Sequence, residues 1–262
     1  MHEPIRVVSV GTGPMGAGIA RLVLQRPGLA LVGAYGRRAE RVGLDLGAAL
    51  GLPQPLGIPI SGDLQALAEQ AQPQVAIHAT CSTLSDAMAE ITTLLRGGSN
   101  VISIAEEMAF PAAGALAIAE QLHALAMAQR VSVLGTGVNP GFVLDTLVLV
   151  LSGVCSDIES ISASRVNDLS PYGPTVLHSQ GVGLSAEAFR QGVAGGTVVG
   201  HIGFVQSLHM IARTLGWELE RIEETRQPIV SELRRQTPSV TVEPGQVAGC
   251  LHSAVAYRQG QP

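Results

Sequence analysis

The feature that most constrains this chain lies near its start. There the run Arg6-Val7-Val8-Ser9-Val10 breaks into Gly11-Thr12-Gly13-Pro14-Met15-Gly16 and then into a helical stretch. Strand, glycine turn and helix in that order form a cradle for a dinucleotide pyrophosphate. Gly11 makes the tight turn, Gly13 brings the backbone close to the phosphates, and Gly16 lets helix and strand pack closely. The helix start then offers free N–H groups and a positive dipole end to the anion. In a chain with 31 glycines among 262 residues, three glycines at this spacing carry little weight alone. The flanking strand and helix carry the assignment, and the alternative is a purely structural turn.

The rhythm of the first half extends this reading. Strand-like segments at 6–10, 29–35, 75–80, 101–105 and 131–134, with a weaker one at 58–60, alternate with helical stretches at 15–24, 38–50, 64–70, 84–95 and 112–128. Such alternation predicts right-handed crossovers and a parallel sheet covered on both faces. After residue 135 the rhythm changes. An apolar helix at 143–151 has Asp145 near its start, and 158–166 alternates like a strand with one wet face. Val205, Leu208, Ala212 and Leu215 form one helical stripe, while 222–230, 240–242 and 247–257 read as strands. The expected fold class is α/β: a Rossmann dinucleotide-binding domain over 1–135, and a second α+β domain over 136–262 built on a mostly antiparallel sheet. The final strand runs into a turn and leaves an open edge. Either a homodimer partner covers that edge, or the chain is shorter than its gene.

Composition narrows the class. The chain is 46% apolar, 14% charged and 3% aromatic, as suits an α/β enzyme rich in Ala, Val, Leu and Gly. A net charge of -5 argues against nucleic acid as the main partner. No apolar run is long enough to span a membrane, and residues 1–4 lack leader character. Cys81, Cys155 and Cys250 have neither disulfide nor metal spacing, and His178, His201, His209 and His252 lack metal spacing too. No metal is expected, and the compartment is read as reducing and cytoplasmic. All 16 basic residues are arginine, so side-chain Schiff-base chemistry is excluded.

Ligands on a parallel sheet bind beyond the carboxyl ends of its strands, which directs attention to the residues just after each one. After the second strand come Arg37 and Arg38, where NAD-preferring folds place an acid. Their guanidinium forks suit the 2′-phosphate of NADP, with NAD as the alternative cofactor and solvated arginines as the bland reading. After the fourth strand come Thr80 and Cys81, small groups expected beside the cofactor; a Cys81 nucleophile would need a nearby base. After the fifth come Glu106 and Glu107. Paired carboxylates in a partly desolvated cleft raise one another's pKa toward proton transfer near neutrality. The bland alternative is a helix cap and a solvated acid. The run Gly135-Thr136-Gly137-Val138-Asn139-Pro140-Gly141-Phe142 then marks a backbone that bends sharply and runs close to a ligand.

Four stretches together make the chain resemble the 2,4-diaminopentanoate dehydrogenases, relatives of the dihydrodipicolinate reductases that include native amine dehydrogenases. They are the glycine loop, Ile104-Ala105-Glu106-Glu107, the Gly-Thr-Gly-Val-Asn-Pro-Gly run, and Gly249-Cys250-Leu251-His252. The resemblance implies reversible oxidative deamination: a nicotinamide cofactor takes hydride from a carbon bearing an amine, and water converts the imine to a ketone and ammonia. It also implies that one glutamate of the 104–107 stretch contacts the amine. Phe142 and Tyr172 would wall out water, and Asn139 or Asn167 would orient substrate or carboxamide. Family members are longer, which favours the truncation reading. Two alternatives stand beside it. One is dihydrodipicolinate reductase itself, whose paired histidines followed by lysine are missing here; the other is a non-catalytic NADP-sensing protein.

Overall fold

The computed structural model describes residues 3–261. The fold divides between Phe142 and Val143, so the 136–142 crossover goes with the first unit rather than the second.

In the first unit, strands β1 (Ile5–Val10), β2 (Leu29–Tyr35), β3 (Ile60–Ser61), β4 (Val75–His78), β5 (Asn100–Ser103) and β6 (Val133–Gly135) form one sheet in the order β3-β2-β1-β4-β5-β6. Every pairing is parallel, and the chain reverses its direction of growth between β1 and β4. Helices α1 (Pro14–Gln25), α2 (Leu46–Ala49), α3 (Leu64–Ala71), α4 (Leu84–Arg96) and α5 (Leu116–Gln129) connect the strands. β1 shows why the sheet is stable: Val7, Val8, Ser9 and Val10 are buried in succession, as a central parallel strand requires. α4 supplies the matching face. Thr83 Oγ1 caps it by accepting from the Asp86 amide at 3.3 Å, and Leu84, Ala87, Ile91, Leu94 and Leu95 bury one helical stripe. Each such large aliphatic group contributes about 1.5–3 kcal/mol by leaving water. Glu90 lies buried on the same helix, a charge inside an apolar contact.

In the second unit, helices α6 (Thr146–Ser152), α7 (Pro174–Ser179), α8 (Ala186–Ala194) and α9 (Phe204–Leu215) accompany two antiparallel pairs. One is a long ribbon of β7 (Arg221–Val230) with β10 (Val247–Tyr257); the other joins β8 (Arg235–Gln236) to β9 (Thr241–Val242). The apolar centre is small: Phe189, Val198 and Val247, flanked by Leu184, Val193 and Cys250. Buried Asp145 caps α6 at the Thr146 amide, 2.5 Å away, and accepts from Ser207 Oγ of α9 at 2.8 Å.

The α/β class, the Rossmann sheet and the antiparallel second half are as expected; two elements differ. The helix expected over 38–50 is a single 3₁₀ turn, Ala39–Arg41, followed by the four residues of α2. Asp45 draws the chain off the helical path: its carboxylate accepts from the amides of Ala48, Leu56 and Ile58, and Gly43 turns at φ +84°. The strand expected over 158–166 is absent from the described residues, because alternation makes a strand only where a partner pairs with it, and Val166 is 97% exposed.

Candidate active site

The glycine loop shows what a dinucleotide needs. Gly11 sits at φ +118°, and a Cβ there would lie 2.5 Å from the Ala79 carbonyl oxygen, so β1 turns tightly against the end of β4. A Cβ on Gly16 would collide with the Gly11 carbonyl, whereas one on Gly13 would meet nothing within 4 Å. The first and third glycines are therefore needed for packing, and the second faces open space. α1 begins at Pro14 with no side-chain cap on its first turn, which leaves its early N–H groups for an anion. This cradle fits a pyrophosphate. Met15 is 62% exposed at its rim, and Thr12 is buried within it. Arg41 Nη1 donates to the Thr12 carbonyl, a brace across 29 residues that no local pattern signals.

Beside the loop lies a buried polar network. His78, the last residue of β4, is fully buried, with Nδ1 2.9 Å from Ser103 Oγ and Nε2 3.0 Å from Glu90 Oε2. Thr80 Oγ1 donates to the same carboxylate oxygen at 2.5 Å, and Arg37 Nε donates to Glu90 Oε1 at 2.7 Å. Arg37 Nη2 also reaches the Asp86 carbonyl at 3.1 Å. Burial works against the Glu90 charge, but bonds from His78, Arg37 and Thr80 outweigh it and hold its pKa down at about 2. Burial likewise opposes a charged His78, and hydrogen bonds to Cys81 and Glu90 reverse the balance, raising its pKa. Tyr35, at the end of β2, is pushed up by burial and by the Glu90 charge. Of the expected cofactor contacts, Arg37 and Thr80 thus have internal partners, while Arg38 is exposed and makes no side-chain hydrogen bond among the described residues. Cys81 Sγ lies 4.0 Å from His78 Nε2 and 3.6 Å from Thr80 Oγ1. Sequence reasoning missed His78, Glu90 and Arg41.

The acidic pair after β5 separates into two environments. Both residues lie in a 3₁₀ turn, Glu106–Ala109, at the carboxyl edge of the sheet. Glu107 Oε2 accepts from the Leu84 amide at 2.6 Å, and the Glu107 amide donates to the Ser82 carbonyl at 3.2 Å. Glu107 therefore clamps the start of α4. Glu106 is half-buried and makes no side-chain hydrogen bond among the described residues. The turn is held from below by β6, since a Cβ on Gly135 would fall inside the Met108 carbonyl group. Beyond Gly135, Gly141 at φ +113° folds the crossover back on Gly137; Asn139 is half-buried there and Phe142 is 51% exposed.

In the second unit, Asn167 Nδ2 donates to Tyr172 Oη at 3.4 Å, so these two expected substrate residues do meet. Arg165 Nε donates to Asn167 Oδ1 at 3.2 Å and adds a cation that the sequence reading did not single out. The histidines divide: His178 is exposed, whereas the Phe204 ring stands edge-on between His201 and His252, 4.9 Å from each. His252 Nδ1 accepts from the His201 amide at 2.9 Å, so its Nε2 carries the proton offered to Glu224 at 3.0 Å. Burial, with His252 and Arg165 nearby, lowers the His201 pKa to about 4. Among the described residues no cluster of three His, Cys, Asp or Glu could hold a metal, and no helix is long and apolar enough to cross a membrane.

A parallel sheet with a glycine cradle at its switch point and an acidic turn after β5, two strands away on the same sheet edge, defines a nicotinamide-dinucleotide oxidoreductase. Residues 5–103 match the family described as dihydrodipicolinate reductase, N-terminus, and residues 142–262 match the 2,4-diaminopentanoate dehydrogenase C-terminal domain. The chain belongs to the 2,4-diaminopentanoate dehydrogenase family. It is 37% identical over 261 residues to the 2,4-diaminopentanoate dehydrogenase of Acetoanaerobium sticklandii, covering 99% of this chain and 74% of that enzyme. An amine dehydrogenase of Streptomyces virginiae is 29% identical over 228 residues, 84% of this chain and 62% of its own length. The structure of an amine dehydrogenase from Mycobacterium smegmatis superposes with a TM-score of 0.81 at 26% identity, covering 100% of this chain and 77% of that one.

Proposed function

We propose that this chain catalyses reversible oxidative deamination of a primary amine, with Glu106 as the group that holds the ammonium and takes its proton. The observation that carries the assignment is the division of the acidic pair: Glu107 is committed to the Leu84 amide, and Glu106 is left at the sheet edge with its carboxylate uncommitted. An amine gives up hydride readily only when neutral, so a carboxylate beside the nitrogen must first remove a proton. The nicotinamide supplies the hydride acceptor when bound. Hydride loss leaves an iminium carbon, which water converts to ketone and ammonia. With no lysine in the chain, the carbonyl is held by hydrogen bonds alone. Asn139 or Asn167 is the polar group suited to orient it, with Phe142 and Tyr172 as walls that exclude water.

Gly11, Thr12, Gly13, Pro14, Met15 and Gly16 form the pyrophosphate loop of this reading, with Thr80 and Cys81 at its nicotinamide side. NADP is the favoured cofactor: Arg38 stands after β2 without an internal partner, and Arg37 stands next to it. Three free cysteines suit a reducing cytoplasm. A homodimer through the β7–β10 ribbon would cover Ile229, Leu251 and Val255, all exposed on it.

The test is a pair of substitutions assayed with amines and NADP. Glu106→Gln should lower turnover by about 10²–10⁴, the usual cost of losing a general base, while nucleotide affinity barely moves. Glu107→Gln should keep most activity and cost about 1 kcal/mol of stability. Near-wild-type turnover in Glu106→Gln would remove the base assignment.

A further inference from the structure

Arg37 stands just past β2, where a Rossmann domain reads the 2′ position of the adenosine ribose, yet its charge is already engaged inside the protein. We infer that Glu90 is a selectivity residue for the dinucleotide, holding Arg37 in an ion pair and thereby setting how strongly the site prefers a 2′-phosphate over a bare 2′-hydroxyl. The inference rests on the dinucleotide reading above and adds a residue from α4, which is 53 positions away from Arg37.

The geometry is that of a discharged fork. A guanidinium grips a phosphate best with two N–H groups on one edge. In Arg37 the Nε–Nη2 edge is taken, Nε by Glu90 Oε1 at 2.7 Å and Nη2 by the Asp86 carbonyl at 3.1 Å. Only the Nη1 side is left for a ligand, on a side chain that is 44% exposed. Glu90 cannot take the ribose itself. Its side chain is 9% exposed, and its second oxygen already receives Thr80 Oγ1 and His78 Nε2. It stays ionised throughout the neutral range, its pKa held at about 2 by those same bonds against the cost of burial. A dianionic 2′-phosphate therefore meets a compensated cation at Arg37 and a full one only at Arg38. A neutral ribose loses nothing by the same pairing. The arrangement tempers NADP preference without creating the acidic ribose acceptor that would exclude the phosphate.

A merely structural tie between the β2 loop and α4 would alter both cofactors alike, and that difference is measurable. Dissociation constants for NADP⁺ and NAD⁺ are read by calorimetry on wild type, Glu90→Gln, Glu90→Asp and the double variant Arg37→Ala/Glu90→Gln, each verified as folded by circular dichroism. Glu90→Gln should shift the affinity ratio toward NADP⁺ by about five- to tenfold, the size of one partly screened charge contact. Glu90→Asp keeps a buried carboxylate but retreats from Arg37, and should shift the ratio the same way by less. In the double variant the gain should vanish. An unchanged ratio in both single variants, or the same gain without Arg37, overturns the inference. Failure of wild type to bind either nucleotide would instead overturn the dinucleotide reading beneath it.

Discussion

Val10 and Val255 each sit in a long-range strand pairing, and their surroundings follow opposite rules. β1 is paired on both sides and buried at four consecutive positions, so every side chain there packs against something. Among the described residues β10 forms a ladder with β7 alone, and along it Leu251, Ser253 and Val255 are exposed while the residues between them are partly covered. The first unit spreads its core over many aliphatic side chains on several elements. The second concentrates its centre on one aromatic ring and two valines. A diffuse core tolerates the loss of any one member better than a concentrated core does.

That contrast can be broken in three places. The largest effect is expected at Phe189, fully buried in α8: Phe189→Ala should cost about 3–5 kcal/mol and uncouple α8 from the ribbon. Denaturant unfolding with hydrogen exchange resolving each unit checks it, and a loss shared equally by β1 and β10 amides would erase the distinction.

The second place is pH. His201 has a folded pKa of about 4 against an ordinary 6.5, so the unfolded chain binds more protons between those values. The second unit should be at full strength above pH 6.5 and weaken as pH falls toward 4. In the first unit Glu90, at about 2 against 4.5, holds its contribution until pH drops below 4.5. His78, raised above 6.5, contributes below that pH and loses its contribution as pH rises through its folded value. At pH 5 the second unit should therefore be the one weakened, and in mild alkali the first. Urea midpoints across pH 4–9, read by exchange in each unit, test the sign.

The smallest effect is expected at the ribbon surface. Leu251 is 52% exposed on the single subunit, so Leu251→Ala should change the stability of a subunit by itself by less than about 0.5 kcal/mol, the proposed homodimer contact apart. A larger, concentration-dependent loss, with a halved mass by light scattering, would mean that a second copy covers it.

What could be read from the sequence was what neighbours in the chain decide. The order of β1, the glycine turn and α1 is local, and the α4 stripe repeats at helical spacing, so both were legible. The helical pattern at 38–50 does not become a helix because the Asp45 carboxylate accepts from amides 11 and 13 residues further on, which no periodicity records. The alternation at 158–166 looked like a strand because pattern describes faces, not partners. The acidic pair stood out, but its division did not: the amide that claims Glu107 lies 23 residues earlier. The internal partner of Arg37 is hidden for the same reason, since Glu90 reaches it only through the fold.

Gly135 has a consequence for anyone who would redesign this protein. Because its α-carbon rests against the Met108 carbonyl, any added side chain must displace the turn that carries Glu106. Such a variant would look like a loss of chemistry in an assay although position 135 need never meet a substrate. Random libraries scored by turnover would record it as a reacting position, and the error would be invisible without structures of the variants. Gly13 is the opposite case: an added Cβ would meet nothing within 4 Å, so, on the proposed reading of the loop, a substitution there should be detected first as weakened cofactor affinity. Two glycines that look alike in the sequence thus set separate limits on adaptation, one on how the machinery is mounted and the other on what it admits.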